Sequence, residues 1–194
     1  MTSSGDDALL IKAFQKGEKK AFDQLVIRHK DRIFNLCYRF LGDYDEANDS
    51  AQEAFVKAYE SLNAFRLESA FSTWLYRIAV NACKNKLGSS AYKARRKTVS
   101  LENPGHPSDG PLPMEIPNGA PSPLARMEEK EKLALVQRAL DTLPTEFKMV
   151  VTLRDVEGLS YEDIAETTGL NLGTVKSRIA RGRTDLRNRL RGVL

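Results

Sequence analysis

The chain has 194 residues, 41% of them hydrophobic, enough for one or two small cores. No apolar run approaches the roughly 20 residues of a membrane span, so no direct membrane insertion is expected. The start, MTSSGDDALL, lacks the basic-then-apolar order of a signal peptide. Two cysteines without CxxC spacing and two isolated histidines argue for packed side chains and against a disulfide, a metal site or a hydrolytic triad. No glycine-rich phosphate loop is present, and no cofactor is expected.

The net charge of +4 hides a segregation. Residues 1–62 sum to −2, 63–97 to +7, 98–123 to −3, 124–170 to −4 and 171–194 to +6. Two basic blocks separated by acidic ones suggest two separate contacts with a polyanion.

Taken in order, Leu9, Leu10, Ala13 and Phe14 outline a short first helix that Gly17 stops. Glu18 to Leu41 reads as a long helix ended by Gly42. Its stripe is Ala21, Phe22, Leu25, Val26, His29, Ile33, Leu36, Cys37 and Phe40, which makes His29 a partly buried core residue. A third helix runs from about Tyr44 to Leu62. Ala47, Ala51, Phe55, Ala58, Tyr59 and Leu62 face inward, while Asp45, Glu46, Asp49, Gln52 and Glu53 form an acidic side that spacing alone reads as solvated surface.

The next stretch, NAFRLESAFSTWLYRIAVNACKNKL, is the most informative. Phe71, Leu75, Ile78 and Ala82 recur at helical spacing, with Ser69 or Ser72 as the expected cap. The other face carries Thr73, Trp74, Arg77, Asn81, Lys84 and Asn85. Asn is a poor helix former, so two of them one turn apart beside an Arg suggest a reading face. Arg and Lys hold phosphates, Asn bonds base edges, and an aromatic ring stacks on an unstacked base. Trp74 fits either that role or a core position. The segment from Phe65 to Ala70 precedes the helix and could accept an extruded base.

Seven of the eight prolines lie between Pro104 and Pro123, marking a linker without a core. The domains are therefore read as 1–90 and 124–194, joined by 91–123. In the second, Leu124 to Leu143 is helical, with Met127, Leu133, Val136, Ala139 and Leu140. Pro144 starts a helix with Phe147, Val150, Val151 and Leu153 inside, closed by Gly158. Ser160 and Asp163 form a capping box, Gly169 makes the tight turn, and Asn171 caps a last helix with Val175, Ile179, Leu186 and Leu190 on its core side. The result is a helix-turn-helix, whose second helix enters the major groove. Ser177, Ala180, Arg181 and Thr184 oppose the core stripe, flanked by Lys176 and Arg183 on one side and Thr174 and Arg178 on the other. Arg181 and Lys176 are the leading candidates for base or phosphate contacts, with Arg187, Arg189 and Arg191 as further phosphate contacts.

An all-α chain of this order resembles a bacterial extracytoplasmic-function sigma factor, of the envelope-stress, sigma-E-like subgroup of the sigma-70 family. AFDQLVIRHKDRIFNLCYRFLGD resembles the family's first conserved helix, DEANDSAQEAFVKAYESL its polymerase-clamp helix and FSTWLYRIAVNACKNKL its promoter-melting helix. LPTEFKMVVTLRDVEGLSYEDIAETTGLNLGTVKSRIARGRTDLRNRL resembles the domain that binds the −35 element. The resemblance implies a transcription initiation factor without catalytic activity. It implies polymerase binding by Asp45, Asp49, Gln52 and Glu53. Contacts to −10 DNA are implied for Phe65, Ala70, Thr73, Trp74, Arg77, Asn81, Lys84 and Asn85. Contacts to −35 DNA are implied for Arg154, Thr174, Lys176, Ser177, Ala180, Arg181 and Arg183. Ala180 stands where the family sometimes carries an aromatic residue. The implied partners are core RNA polymerase, promoter DNA (duplex at −35, single-stranded at −10) and an anti-sigma factor, often in the membrane, which would hold a cytoplasmic protein at the inner membrane. Free of partners, the chain is expected to be a monomer. The alternative is a two-domain LuxR-type regulator, which would need a sensor or receiver domain. The N-terminal half has no alternating strand-helix pattern to supply one.

Overall fold

The computed structural model describes residues 3–90, Tyr92 and 135–191. The chain divides into two compact units, Met1–Ser108 and Asp109–Leu194, and every regular element among the described residues is helical.

The first unit holds α1 (Ser3–Gln15), α2 (Lys20–Leu41), α3 (Tyr44–Ser61), a 3-10 turn (Leu62–Ala64) and α4 (Phe71–Gly88). Gly17 turns the chain at φ 101°. That turn delays α2 to Lys20, two residues later than expected, because Glu18 and Lys19 bond three residues ahead, to the N–H groups of Ala21 and Phe22. Gly42, at φ 71°, ends α2 with its N–H on the Tyr38 carbonyl, and the Asp43 carboxylate caps α3 by accepting from Glu46 N. The α2 stripe is buried as its spacing predicts, apart from half-buried Val26. Against it α3 presents Ala47, Ala51, Ala54 and Ala58, small residues that let the helices approach closely. The α1 stripe is displaced from expectation. Ile11 and Phe14 are buried, whereas Leu9 is 69% exposed. Tyr59 reaches the core only with its ring, which meets Phe14 and Phe22 edge-on at 5.2 and 5.1 Å.

Helix α4 is more deeply embedded than a single stripe. Phe71, Leu75 and Ala82 are buried as expected, Ile78 is half-buried, and Trp74, Tyr76, Ala79, Val80 and Cys83 are also inside. Neither Ser69 nor Ser72 caps it. The helix starts at Phe71 behind Ala70, which leaves Ser69 one residue too early and Ser72 already inside the first turn. Cys37 and Cys83 are both free and buried, as the spacing implied. They also meet: hydrogen bonding to Cys83, together with burial, pushes the Cys37 thiol well above its ordinary value of 9.0. Tyr92 is buried too, its hydroxyl donating to the Leu41 carbonyl at 2.6 Å, so the first unit keeps hold of the chain beyond residue 90. The linker prolines and the first part of the helix expected from Leu124 lie outside the described residues.

The second unit begins, among those residues, with helix α5 (135–141). Pro144 then leads into α6 (Thr145–Val151), which widens into a π turn (Thr152–Val156). After it come α7 (Tyr161–Thr168) and α8 (Leu172–Leu190). Leu140, Leu143 and Val151 form a core with Phe147 and Leu186 against it. Ile164, Val175 and Ile179 pack α7 and α8. The capping box at Ser160 is complete, with Asp163 N on Ser160 Oγ at 3.0 Å and Ser160 N on Asp163 Oδ2 at 3.3 Å. Gly169 takes φ 71° at the turn, and Asn171 Oδ1 accepts from Thr174 N at 2.8 Å. Gly182 is buried where α8 crosses α6, and a Cβ there would stand 2.6 Å from Val151 Cγ2.

Candidate nucleic-acid and polymerase interfaces

Asp45, Asp49, Gln52 and Glu53 are all exposed along one side of α3. Glu53 holds Lys57 one turn on at 2.5 Å. Glu46 and Asp49 reach Lys86 near the end of α4, at 2.6 and 3.8 Å. The Glu46 bond is the main cause of the raised Lys86 pKa, overcoming the opposing effect of burial. The acidic side is thus braced to α4 and suited to a basic counter-surface.

On α4, Arg77, Asn81, Lys84 and Asn85 follow one another at helical spacing, with both Asn exposed and Arg77 and Lys84 half-exposed. Thr73 is half-exposed at the head of this row, and Ala70 is exposed before it. Two of the expected residues behave differently. Phe65 and Trp74 are each 9% exposed, their rings 4.7 Å apart, and Phe71 lies 5.7 Å from Trp74. Packing takes up the tryptophan ring, which fixes the loop before α4. The loop is also held from α1: Gln15 Nε2 donates to the carbonyls of Leu62 and Phe65 at 3.1 and 2.9 Å. This brace was not expected from sequence, since it spans 50 residues at its longer reach.

On α8, Lys176, Ser177, Ala180, Arg181 and Arg183 are exposed and Thr174 is half-buried. The basic side chains are not equivalent. Arg183 makes a bidentate pair with Asp155 of the π turn, its Nε 3.0 Å from Oδ2, and that bond raises its pKa further. Arg178 pairs with Glu146 at 2.8 Å. Arg154 donates to the Leu159 carbonyl at 2.5 Å and stacks its guanidinium 4.7 Å from the Tyr161 ring centre, with Lys176 Nζ 5.9 Å from the same ring. Arg181 is exposed with no acidic partner among the described residues. Asp155 and Tyr161 order this surface and went unread in the sequence. The one available signal was the position of Tyr161 at the first residue of the capped helix.

Among the described residues, no group of His, Cys, Asp and Glu could hold a metal ion, and no helix is long and apolar enough to cross a membrane.

Residues 25–92 match the model of sigma-70 region 2, and residues 133–186 that of sigma-70 region 4. The chain is 40% identical to the RNA polymerase sigma-H factor of Pseudomonas aeruginosa, covering all of this chain and 98% of that one. It is equally 40% identical to the ECF RNA polymerase sigma-E factor of Escherichia coli K12, covering all of this chain and 99% of that one. A solved structure of CnrH in complex with the cytosolic domain of CnrY is similar at TM-score 0.65 and 27% identity, over 96% of this chain and 98% of that one. These similarities do not favour the LuxR-type alternative.

Proposed function

The chain belongs to the sigma-70 family of RNA polymerase sigma factors, in its extracytoplasmic-function group, and on that premise we propose how its parts divide the work. The factor directs core RNA polymerase to promoters and initiates transcription there. The acidic side of α3, with Asp45, Asp49, Gln52 and Glu53, docks on a basic surface of core polymerase. The polar row of α4 holds the opened −10 strand, Arg77 and Lys84 on phosphates, Asn81, Asn85 and Thr73 on base edges. The segment from Phe65 to Ala70 takes an extruded base, with Phe65 and Trp74 as its packed support. Melting costs stacking energy of roughly 1.4 kcal/mol per step, and a site for the unstacked base returns part of it in a sequence-dependent way.

Helix α8 reads the −35 duplex through Lys176, Ser177, Ala180 and Arg181, with Thr174, Arg154 and Arg183 on the flanking backbone. Linking two modest DNA sites at one fixed spacing on polymerase supplies specificity that neither has alone. The protein has no catalytic chemistry of its own, works in the cytoplasm, is a monomer when unbound, and serves an envelope-stress type of response. CnrH, bound to the cytosolic domain of CnrY, supports a further partner, an anti-sigma factor that covers the polymerase-docking surface and can hold the complex at the inner membrane.

The observation that carries this reading is the pairing, in one unit matched to sigma-70 region 2, of an exposed acidic helix side with an adjacent Arg-Asn-Lys-Asn row. Asp49→Arg and Glu53→Arg test it, since both side chains are exposed and their replacement leaves the core untouched. Each variant should keep its helical circular dichroism and lose about tenfold or more in affinity for core polymerase, the scale of one reversed charge contact. Unchanged affinity would remove the docking assignment.

A further inference from the structure

We propose that Asp7, on the N-terminal helix, is a specificity-determining residue of −10 recognition, giving the site for the extruded base a preference for cytosine and adenine, read through their N4 and N6 amino groups. The inference rests on the reading that the Phe65–Ala70 segment holds such a base. A cavity of about 310 Å3 lies between α1 and this segment, lined by Asp7 and Ile11 on one side and Leu67, Glu68, Ser69 and Phe71 on the other. Its size is at the lower end of the roughly 300–1,000 Å3 of small-molecule sites, suited to a single base.

Asp7 is 4% exposed and rigidly held. Its Oδ2 lies 2.9 Å from His29 Nε2 and its Oδ1 3.2 Å from Arg28 Nη1. A carboxylate only accepts, so Nε2 carries the hydrogen. The His29 ring is fixed in turn edge-on to Phe71, 5.2 Å between centres. One carboxylate has about four acceptor positions, so these two bonds leave Asp7 able to accept from a ligand. Glu68 and Ser69 line the opposite side, the Glu68 side chain being 79% exposed and 4.0 Å from Arg66. Leu67 holds a left-handed conformation at φ 59°, which a non-glycine residue keeps only when its surroundings fix it. Two residues earlier in the same segment, Gln15 Nε2 holds the Phe65 carbonyl from α1 at 2.9 Å.

The buried Asp7 carboxylate thus gives the cavity a fixed acceptor. Cytosine and adenine bring amino groups at N4 and N6, whereas thymine brings the O4 acceptor toward the carboxylate. Cytosine and adenine are therefore accepted and thymine rejected.

The test uses the full chain assembled with core polymerase on fork-junction promoter DNA. Each unpaired −10 position of the non-template strand carries cytosine, adenine, thymine or guanine in turn, the amine-free analogues 2-pyrimidinone and purine, or an abasic site. The parent should show one position where cytosine or adenine binds about tenfold better than thymine, the scale of one good base contact, and where removing the amino group loses about as much. Asp7→Asn, nearly isosteric and able to donate, should reduce both differences to within about threefold. Ser69→Trp, which fills the cavity, should abolish discrimination between a base and an abasic site at that position. If Ser69→Trp leaves that discrimination intact, the cavity is not the base site and the underlying reading falls too. If it abolishes it while Asp7→Asn keeps the parental base order, only the role of Asp7 is overturned. Should Asp7→Asn fail to fold, the parent with the analogues decides: equal binding with and without the amino group overturns the proposal.

Discussion

Gly182→Ala sets two effects of similar size against each other. Replacing a mid-helix glycine by alanine stabilises an unconstrained helix by about 1 kcal/mol. Here the new Cβ would stand 2.6 Å from Val151 Cγ2, against the 3.4 Å at which ordinary contact begins, a shortfall of 0.8 Å, and 3.2 Å from Phe147 Cβ. Val151 cannot easily swing away, since a β-branched side chain in a helix has one strongly preferred rotamer, and it is itself core at 2% exposure. Overpacking of this kind costs about 1–3 kcal/mol, so the net effect is a loss of about 1 kcal/mol. Val151→Ala makes the missing room, so the double variant should be more stable than the sum of the two single effects by about 1 kcal/mol or more. Native-state hydrogen exchange of the α6 and α8 amides in the full chain reads this locally. A Gly182→Ala variant more protected than the parent, or strict additivity with Val151→Ala, would refute the reasoning about the crossing.

Three other outcomes follow from the geometry. Trp74→Ala should cost about 3–5 kcal/mol of stability in a denaturant titration, because the ring is packed between Phe65 and Phe71, whereas exposed Asn81→Ala should stay within about 0.5 kcal/mol yet weaken binding of single-stranded −10 DNA. Arg181→Ala should weaken −35 binding by about 1–3 kcal/mol and relax base preference at one position. Arg183→Ala should cost less in footprints on the same promoters, since Asp155 already shares its guanidinium. The raised Cys37 pKa means that the folded protein holds this proton more tightly than the unfolded chain. The resulting stability is fully present below the ordinary thiol value of 9.0 and is lost as pH rises above it. Cys37→Ala should flatten that loss in urea titrations across this range, and parallel pH profiles for parent and variant would count against it.

The parts of the fold set by neighbours in sequence were legible there. Ser160 and Asp163 are three residues apart, Asn171 caps three residues ahead, and Gly169 turns the chain where only a left-handed residue serves. The α2 stripe was equally plain, because a half-buried helix repeats its apolar residues every turn. What tertiary packing decides was not. Asp7 and His29 are 22 residues apart, and Asp155 and Arg183 are 28 apart. No spacing rule joins either pair. Trp74 sat on the polar side of a stripe drawn for one buried face, and spacing left its role open between surface and core, because α4 is enclosed on more than one face. For the candidate sites, sequence located the polar rows on α3, α4 and α8. It did not reveal the acidic partners that divide the α8 arginines into paired and unpaired, nor the α1 wall behind the loop.

Run-off transcription with purified core polymerase, with and without this protein, on promoters carrying envelope-stress-type −35 and −10 elements tests the central claim most directly. A transcript that depends on the protein, accompanied by permanganate-reactive thymines near −10, is the predicted result. No transcript on any such promoter, together with specific binding to duplex DNA in the absence of polymerase, would contradict it.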